Sequence, residues 1–219
     1  MTGFEVRQSE LSYLASFDVP VFDVLGKGGQ LYAAIYSGLA QFRVKLQDIK
    51  LESLTQNPAD ISVACYLLHL GTLVRFRLDR VEVSSTSSRG FADSTLVVLI
   101  ENALRVINES SPTARVATHT LSLAVHGSLP GGSVADKLAA YIANVSGGSP
   151  FFRPGGVSFS CDWGEGESSV VLERSAVVPE GVFLRVTSML PGKLSGREAC
   201  QLAADFLQTA MAKLNFKFL

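Results

Sequence analysis

The sequence contains little charge for its length. Only 18% of its 219 residues are Asp, Glu, Lys or Arg, and the formal net charge is −1. Such a chain has no general electrostatic attraction for DNA, RNA or anionic lipid, so we expect neither a nucleic-acid partner nor a membrane partner. The small charged fraction also means that much of the surface consists of Ser, Thr, Gly and Ala or is covered by a partner.

Long apolar runs and cysteines are scarce as well. No run reaches the roughly 18 apolar residues that a membrane-spanning helix needs. The first residues carry charges at Glu5 and Arg7 and lack the apolar centre of a secretory signal. Cys65, Cys161 and Cys200 are odd in number and widely spaced, which favours reduced thiols over a disulfide framework. We therefore predict a cytoplasmic protein.

Local catalytic and cofactor motifs are absent too. The sequence has no Gly-x-Ser-x-Gly elbow, no P-loop and no His-Glu-x-x-His pair. Gly26 and Gly28 begin a pattern typical of dinucleotide-binding turns, but Leu31 stands where the third glycine is needed, and this favours a plain turn. The three histidines show no zinc-type spacing with the cysteines. We predict no cofactor and no metal.

One strand near mid-chain is the clearest feature that is present. Between Ala114 and Leu129, apolar residues and His119 alternate with Thr, Ser, Ala and His126. A period of two with one apolar face predicts a half-buried antiparallel strand. Pro130 follows it and ends the pattern.

The elements on either side of this strand form two similar series, each reading strand, helix, three strands, helix. The predicted helices cover 30–37, 92–108, 134–145 and 195–213, and the other predicted strand regions cover 4–25, 39–54, 61–70, 73–84, 157–163, 168–178 and 182–190. This order predicts an α+β fold of two antiparallel sheets, each covered by a long helix, and it favours a duplicated β-α-βββ-α unit. We expect an N-terminal half over 1–112 and a C-terminal half over 113–219, packed tightly enough to form one domain.

Histidines are the candidates for acid–base chemistry, because the ordinary imidazole pKa lies near neutrality. His119 lies on the apolar face of the central strand, and His126 lies seven residues on, so it points to the opposite face. A hydrogen-bonded core residue is the structural interpretation of each. Cys161 shares a face with Phe159 and Trp163, which predicts a core position for this thiol.

Arginines on two predicted strands form the candidate ligand-binding patch. Arg75 and Arg77 share the outward face of one strand, and Arg43 has the same parity on another. Guanidinium groups side by side bind a carboxylate, a phosphate or an acidic partner. Nearby acidic residues favour the alternative, a surface of internal ion pairs.

These patterns predict a non-enzymatic cytosolic protein that binds a protein partner or a small apolar or anionic ligand and self-associates. A groove between a curved sheet and its long helices is the expected site. One alternative is an enzyme that uses His119 or His126 with a carboxylate in the cleft between the halves. Another is a subunit of a larger assembly that docks through Phe151 and Phe152 or the loop 85–90.

Overall fold

A single antiparallel sheet runs through both halves of the chain. In the computed structural model, the described residues are 2–22, 28–53, 60–88, 90–128 and 156–219. The strands in these ranges are β1 (Thr2–Phe17), β2 (Ile49–Ser53), β3 (Ile61–Leu67), β4 (Thr72–Arg77), β5 (Arg80–Ser85), β6 (Val116–Ser128), β7 (Gly156–Trp163), β8 (Gly166–Arg174), β9 (Val182–Pro191) and β10 (Phe216–Phe218). The helices are α1 (Gly28–Gly38), α2 (Ser94–Ser110) and α3 (Gly196–Lys213).

The strand order across the sheet is β2-β3-β4-β5-β1-β6-β9-β8-β7. Every neighbouring pair in this order is antiparallel, and β10 adds a short parallel pairing to the first residues of β1. The central pair is β1 with β6, whose register joins Glu5 to Ser128, Leu11 to Leu123 and Phe17 to Val116.

This central pair makes the predicted two-sheet arrangement wrong. Each half supplies one flank of the sheet, and β1 and β6 join the flanks along most of their length. Alternation shows that a strand has one buried face but does not show which strand lies beside it, so two sheets and one sheet give the same sequence pattern. The antiparallel pairing itself was predicted correctly; the duplication and the division at residue 112 stay predictions.

The helices cover one face of the sheet. On that face the buried side chains alternate along the strands, as with Leu11 and Tyr13 of β1 and Leu121 and Leu123 of β6. Helices α2 and α3 contact each other, and α1 packs on α2. The opposite face has no helix among the described residues and presents hydroxyl side chains at its centre. One lateral row consists of Ser84, Ser12, Ser122, Thr187, Ser169 and Ser160, each paired with the next.

Helices α2 and α3 begin with local capping chemistry, and α1, α2 and α3 confirm the predicted helices 30–37, 92–108 and 195–213 to within a few residues. The Asp93 carboxylate accepts hydrogen bonds from the first backbone N–H groups of α2. Ser195 and Glu198 form a capping box at the start of α3. The predicted helix 134–145 and the pair Phe151-Phe152 lie outside the described residues.

Two predicted strand segments are corrected. The segment 39–54 contains short 3₁₀ helices at Ala40–Phe42 and Leu46–Asp48, and only β2 is extended. The segment 73–84 is the hairpin of β4 and β5, with its turn at Leu78 and Asp79. A change of apolar parity arises from a turn as readily as from a bulge, because both shift the register of the alternating faces.

Candidate functional site

His119 is sequestered in the core beneath α3. Its side chain is 1% exposed, its Nδ1 lies 2.8 Å from the Tyr13 hydroxyl, and its Nε2 lies 2.9 Å from the Leu194 carbonyl oxygen. A carbonyl only accepts, so Nε2 carries the proton and Nδ1 accepts from Tyr13. Burial lowers the pKa of His119, and this effect outweighs the opposing hydrogen bonds to the backbone at Leu194 and Gly192.

Tyr13 can donate this hydrogen bond to Nδ1 because its hydroxyl stays protonated. Burial raises its pKa far above the ordinary value, with a smaller contribution from Cys200. The Cys200 thiol is itself held neutral, since burial raises its pKa to about 12. The Tyr13–His119 pair is therefore an uncharged hydrogen-bonded unit between the two central strands.

His126 lies on the helix-free face and meets a serine. Its Nδ1 is 2.8 Å from the Ser175 Oγ, and its ring stacks at 4.8 Å on Phe183. That Oγ also accepts hydrogen bonds from the backbone N–H groups of Val177 and Val178, at 3.1 and 2.8 Å. The serine hydrogen therefore points at His126 while the oxygen lone pairs are occupied, which does not produce a nucleophile. In the described ranges, no carboxylate hydrogen-bonds either imidazole.

Arg75 and Arg77 of the predicted basic patch lie in an ion-pair network on the helix-free face. Arg75 Nε is 3.0 Å from Glu52, and Arg75 Nη1 is 3.2 Å from Glu82. Arg77 Nε is 3.3 Å from the Glu82 carboxylate, close enough for an ion pair but without the angle of a hydrogen bond. Arg80 also bonds Glu82, at 2.6 Å. Burial raises the pKa of Glu82, but hydrogen bonds from Arg80 and Arg75 outweigh it and hold the pKa below its ordinary value.

Arg43 does not join this network. It follows the short 3₁₀ helix Ala40–Phe42 in a left-handed conformation with φ of 56° and is exposed. Because Arg43 is not on a strand, it does not share a sheet face with Arg75 and Arg77. Ligand binding by these arginines stays a prediction.

An apolar groove lies between the sheet and α3. Its walls are Phe159 and Trp163 of β7, Val170 of β8, Phe206 and Ala210 of α3, and Leu214 just after α3. Its volume is about 400 Å³, within the roughly 300–1,000 Å³ of small-ligand pockets. Two contacts with α3 hold the Trp163 side chain in place. Its indole N–H donates to the Leu202 carbonyl oxygen at 3.1 Å, and its ring centroid lies 5.4 Å from that of Phe206.

Polar groups at this groove are few. Thr209 and Lys213 of α3 and Cys161 of β7 lie along it. Lys213 forms no ion pair or hydrogen bond with the described residues, so its ammonium is available to a ligand. Cys161 is exposed, which corrects the core position predicted for it, whereas Cys65 and Cys200 are buried.

Sequence reasoning did not identify this groove. The alternation of Phe159, Cys161 and Trp163 is the pattern of a core-facing strand, and an edge strand whose helix cover is partial has the same pattern. The sequence marks this groove only by its single tryptophan, Trp163.

Among the described residues, no group of three His, Cys, Asp or Glu side chains is placed to hold a metal ion. No helix in the same ranges is long and apolar enough to cross a membrane. No protein-family model and no curated protein sequence matches the chain.

Proposed function

We propose that the protein is a non-enzymatic binding protein whose groove between β7, β8 and α3 holds an amphipathic carboxylate. The observation that carries the proposal is the groove itself, in which aromatic and aliphatic walls meet Lys213, a cation with no ionic partner among the described residues. Apolar walls bind a hydrocarbon chain by removing its surface from water. The ammonium at the rim selects a ligand with an anionic end over a neutral one.

Support also comes from the state of the histidines. His119 has both ring nitrogens engaged and is buried, and the hydroxyl beside His126 has its lone pairs occupied. The acid–base alternative therefore has no supporting contact within the described ranges. The proposal places the protein in the reducing cytosol, in keeping with three unpaired cysteines.

Tryptophan fluorescence tests the groove directly, because Trp163 is the only tryptophan in the chain. Decanoate and decanol are titrated against the protein, and the emission of Trp163 is followed. We expect a saturable change with both, with tighter binding of decanoate. An exposed ion pair contributes about 0.2–1 kcal/mol, so the preference should be roughly 1.5- to 5-fold.

Two matched pairs of variants locate the site. Lys213→Met should remove the preference for decanoate, while Lys217→Met, which makes the same charge change on β10, should keep it. Ala210→Leu should weaken both ligands by filling the groove, while Ala212→Leu on the exposed side of α3 should not. Emission that neither ligand alters, or binding that Ala210→Leu leaves unchanged, would contradict the proposal.

A further inference from the structure

The two outer strands of the sheet differ in how they are protected against pairing with another strand. Exposed strand edges present unpaired N–H and C=O groups, and proteins commonly block them with short length, charges, proline or bulges. Strand β2 has five residues, and its Lys50 and Glu52 carry charge next to the edge. It is a blocked edge.

Strand β7 at the other end carries a charge only at Asp162, next to its last residue, and has none of the other devices. It has eight residues, and from Gly156 to Cys161 it contains no charged residue and no proline. Its pairing with β8 is continuous from Gly156 opposite Glu173 to Trp163 opposite Gly166, without a bulge. Among the described residues, no strand pairs with its outer side. This edge therefore presents a regular row of backbone donors and acceptors.

The side chains of β7 are also unusually exposed. Phe159 is 47% exposed on the helix side of the strand, and Ser158, Ser160 and Cys161 are exposed as well. A large exposed aromatic on an unblocked edge is typical of a protein–protein contact.

We propose that a second copy of this chain pairs with β7 in antiparallel fashion, with Ser160 opposite the partner's Ser160. A two-fold axis perpendicular to the sheet keeps the helices of both copies on the same side and makes the contact self-complementary. This register pairs seven residues of β7, Val157 to Trp163, and places Phe159 opposite the partner's Cys161. Two chains then form one continuous sheet, which is the strand-addition mode of association.

The charges of the strand are compatible with this pairing. The only ionisable carboxylate on β7 is that of Asp162, and in this register it lies opposite the partner's Ser158. Like charges directly opposite each other destabilise a strand pair, and this arrangement avoids them. The same axis brings the two grooves lined by Trp163 side by side, although the dimer does not depend on what the grooves bind.

Light scattering coupled to size-exclusion chromatography tests the dimer on the full chain over a range of concentrations. We expect twice the mass of the chain for the unmodified protein and a two-fold lower mass for Ser160→Lys, which places two ammonium groups at the axis. Gln208→Lys adds the same charge on the exposed side of α3 and should leave the dimer intact. Circular dichroism establishes that both variants are folded.

Cross-linking tests the register. Diagonal neighbours in an antiparallel pair lie about 7–8 Å apart, which is the relation of Cys161 to the partner's Cys161. A short bis-maleimide should therefore link two chains through this exposed thiol, while Cys65 and Cys200 are buried and unreactive. Cys161→Ser and Ser160→Lys should abolish the link. A protein that is monomeric at every concentration, or a dimer that Ser160→Lys leaves unchanged, would overturn the proposal.

Discussion

Folding stability should fall when the pH drops from neutrality, because His119 is buried in its neutral form. Burial lowers its pKa in the folded protein, while in the unfolded chain the imidazole titrates near 6.5. Between these two values the unfolded state binds more protons than the folded state. The free energy of unfolding therefore rises with pH across this window. The contribution of His119 to stability is fully present above about pH 6.5 and is lost as the pH falls towards the pKa of His119 in the folded protein.

The size of the effect follows from proton linkage. One proton taken up on unfolding changes the free energy of unfolding by at most about 1.4 kcal/mol per pH unit. Protonation is costly here because Nε2 already donates to the Leu194 carbonyl, and the added proton at Nδ1 displaces the hydrogen bond from Tyr13. Glu52 and Glu82 have pKa values below the ordinary 4.5, so their contributions are lost at lower pH.

Urea denaturation between pH 7.5 and pH 5 measures this dependence, and His119→Gln isolates it. Glutamine retains one donor for Leu194 and one acceptor for Tyr13 but does not titrate. We expect the variant to lose most of the slope between pH 6.5 and pH 5. Parallel pH curves for the variant and the unmodified protein would refute the assignment of the slope to His119.

Two further substitutions test packing. Gly127→Ala should lower the free energy of unfolding by about 1–3 kcal/mol, because the new Cβ would lie less than 3.0 Å from the Glu5 carbonyl oxygen. Gly29→Ala in α1 is the control. No atom lies near the position of its Cβ, so this substitution should be neutral or mildly stabilising. Asn102→Leu should leave stability unchanged or raise it by up to about 1 kcal/mol, because Asn102 Nδ2 is buried without a hydrogen-bond partner and Arg105, its other contact, is exposed to water. Both are measured by urea denaturation, and a clear loss of stability in Asn102→Leu would contradict this account.

Elements with local signals were predictable from the sequence. The stripe of α2 and the capping box of Ser195 and Glu198 involve residues within one or two turns of each other, so their chemistry is visible in a short window. The same is true of the long alternation in β6. These elements were correctly predicted to within a few residues.

Strand neighbours were not predictable, because they depend on contacts between distant segments. Leu11 pairs with Leu123 and Ser12 with Ser122, and no local pattern in either segment indicates which strand lies beside it. The parity of β1 does change in the sequence, from Phe4 and Val6 to Leu11 and Tyr13. The ladder shifts between Val6 and Gln8, so a real bulge lies where none was predicted.

The candidate site was predictable only in its general position. A groove between sheet and helix was expected, but its lining was not, because Phe159 and Cys161 have the pattern of core residues. The histidines on the central strand were candidates for acid–base chemistry, but both ring nitrogens of His119 form hydrogen bonds in the core. The acidic partners of Arg75 lie on other strands, Glu82 on the neighbouring β5 and Glu52 on β2, two strands away. The network was therefore visible in the sequence only as nearby charge.

The position of β1 at the centre of the sheet also has a consequence for how the chain folds. During synthesis β1 emerges from the ribosome long before its longest partner, β6, which begins only at Val116. Contacts between segments so far apart in the chain give a high contact order and slow folding. Until β6 is available, the apolar side chains of β1 remain open to chaperones and to misassociation with other nascent chains.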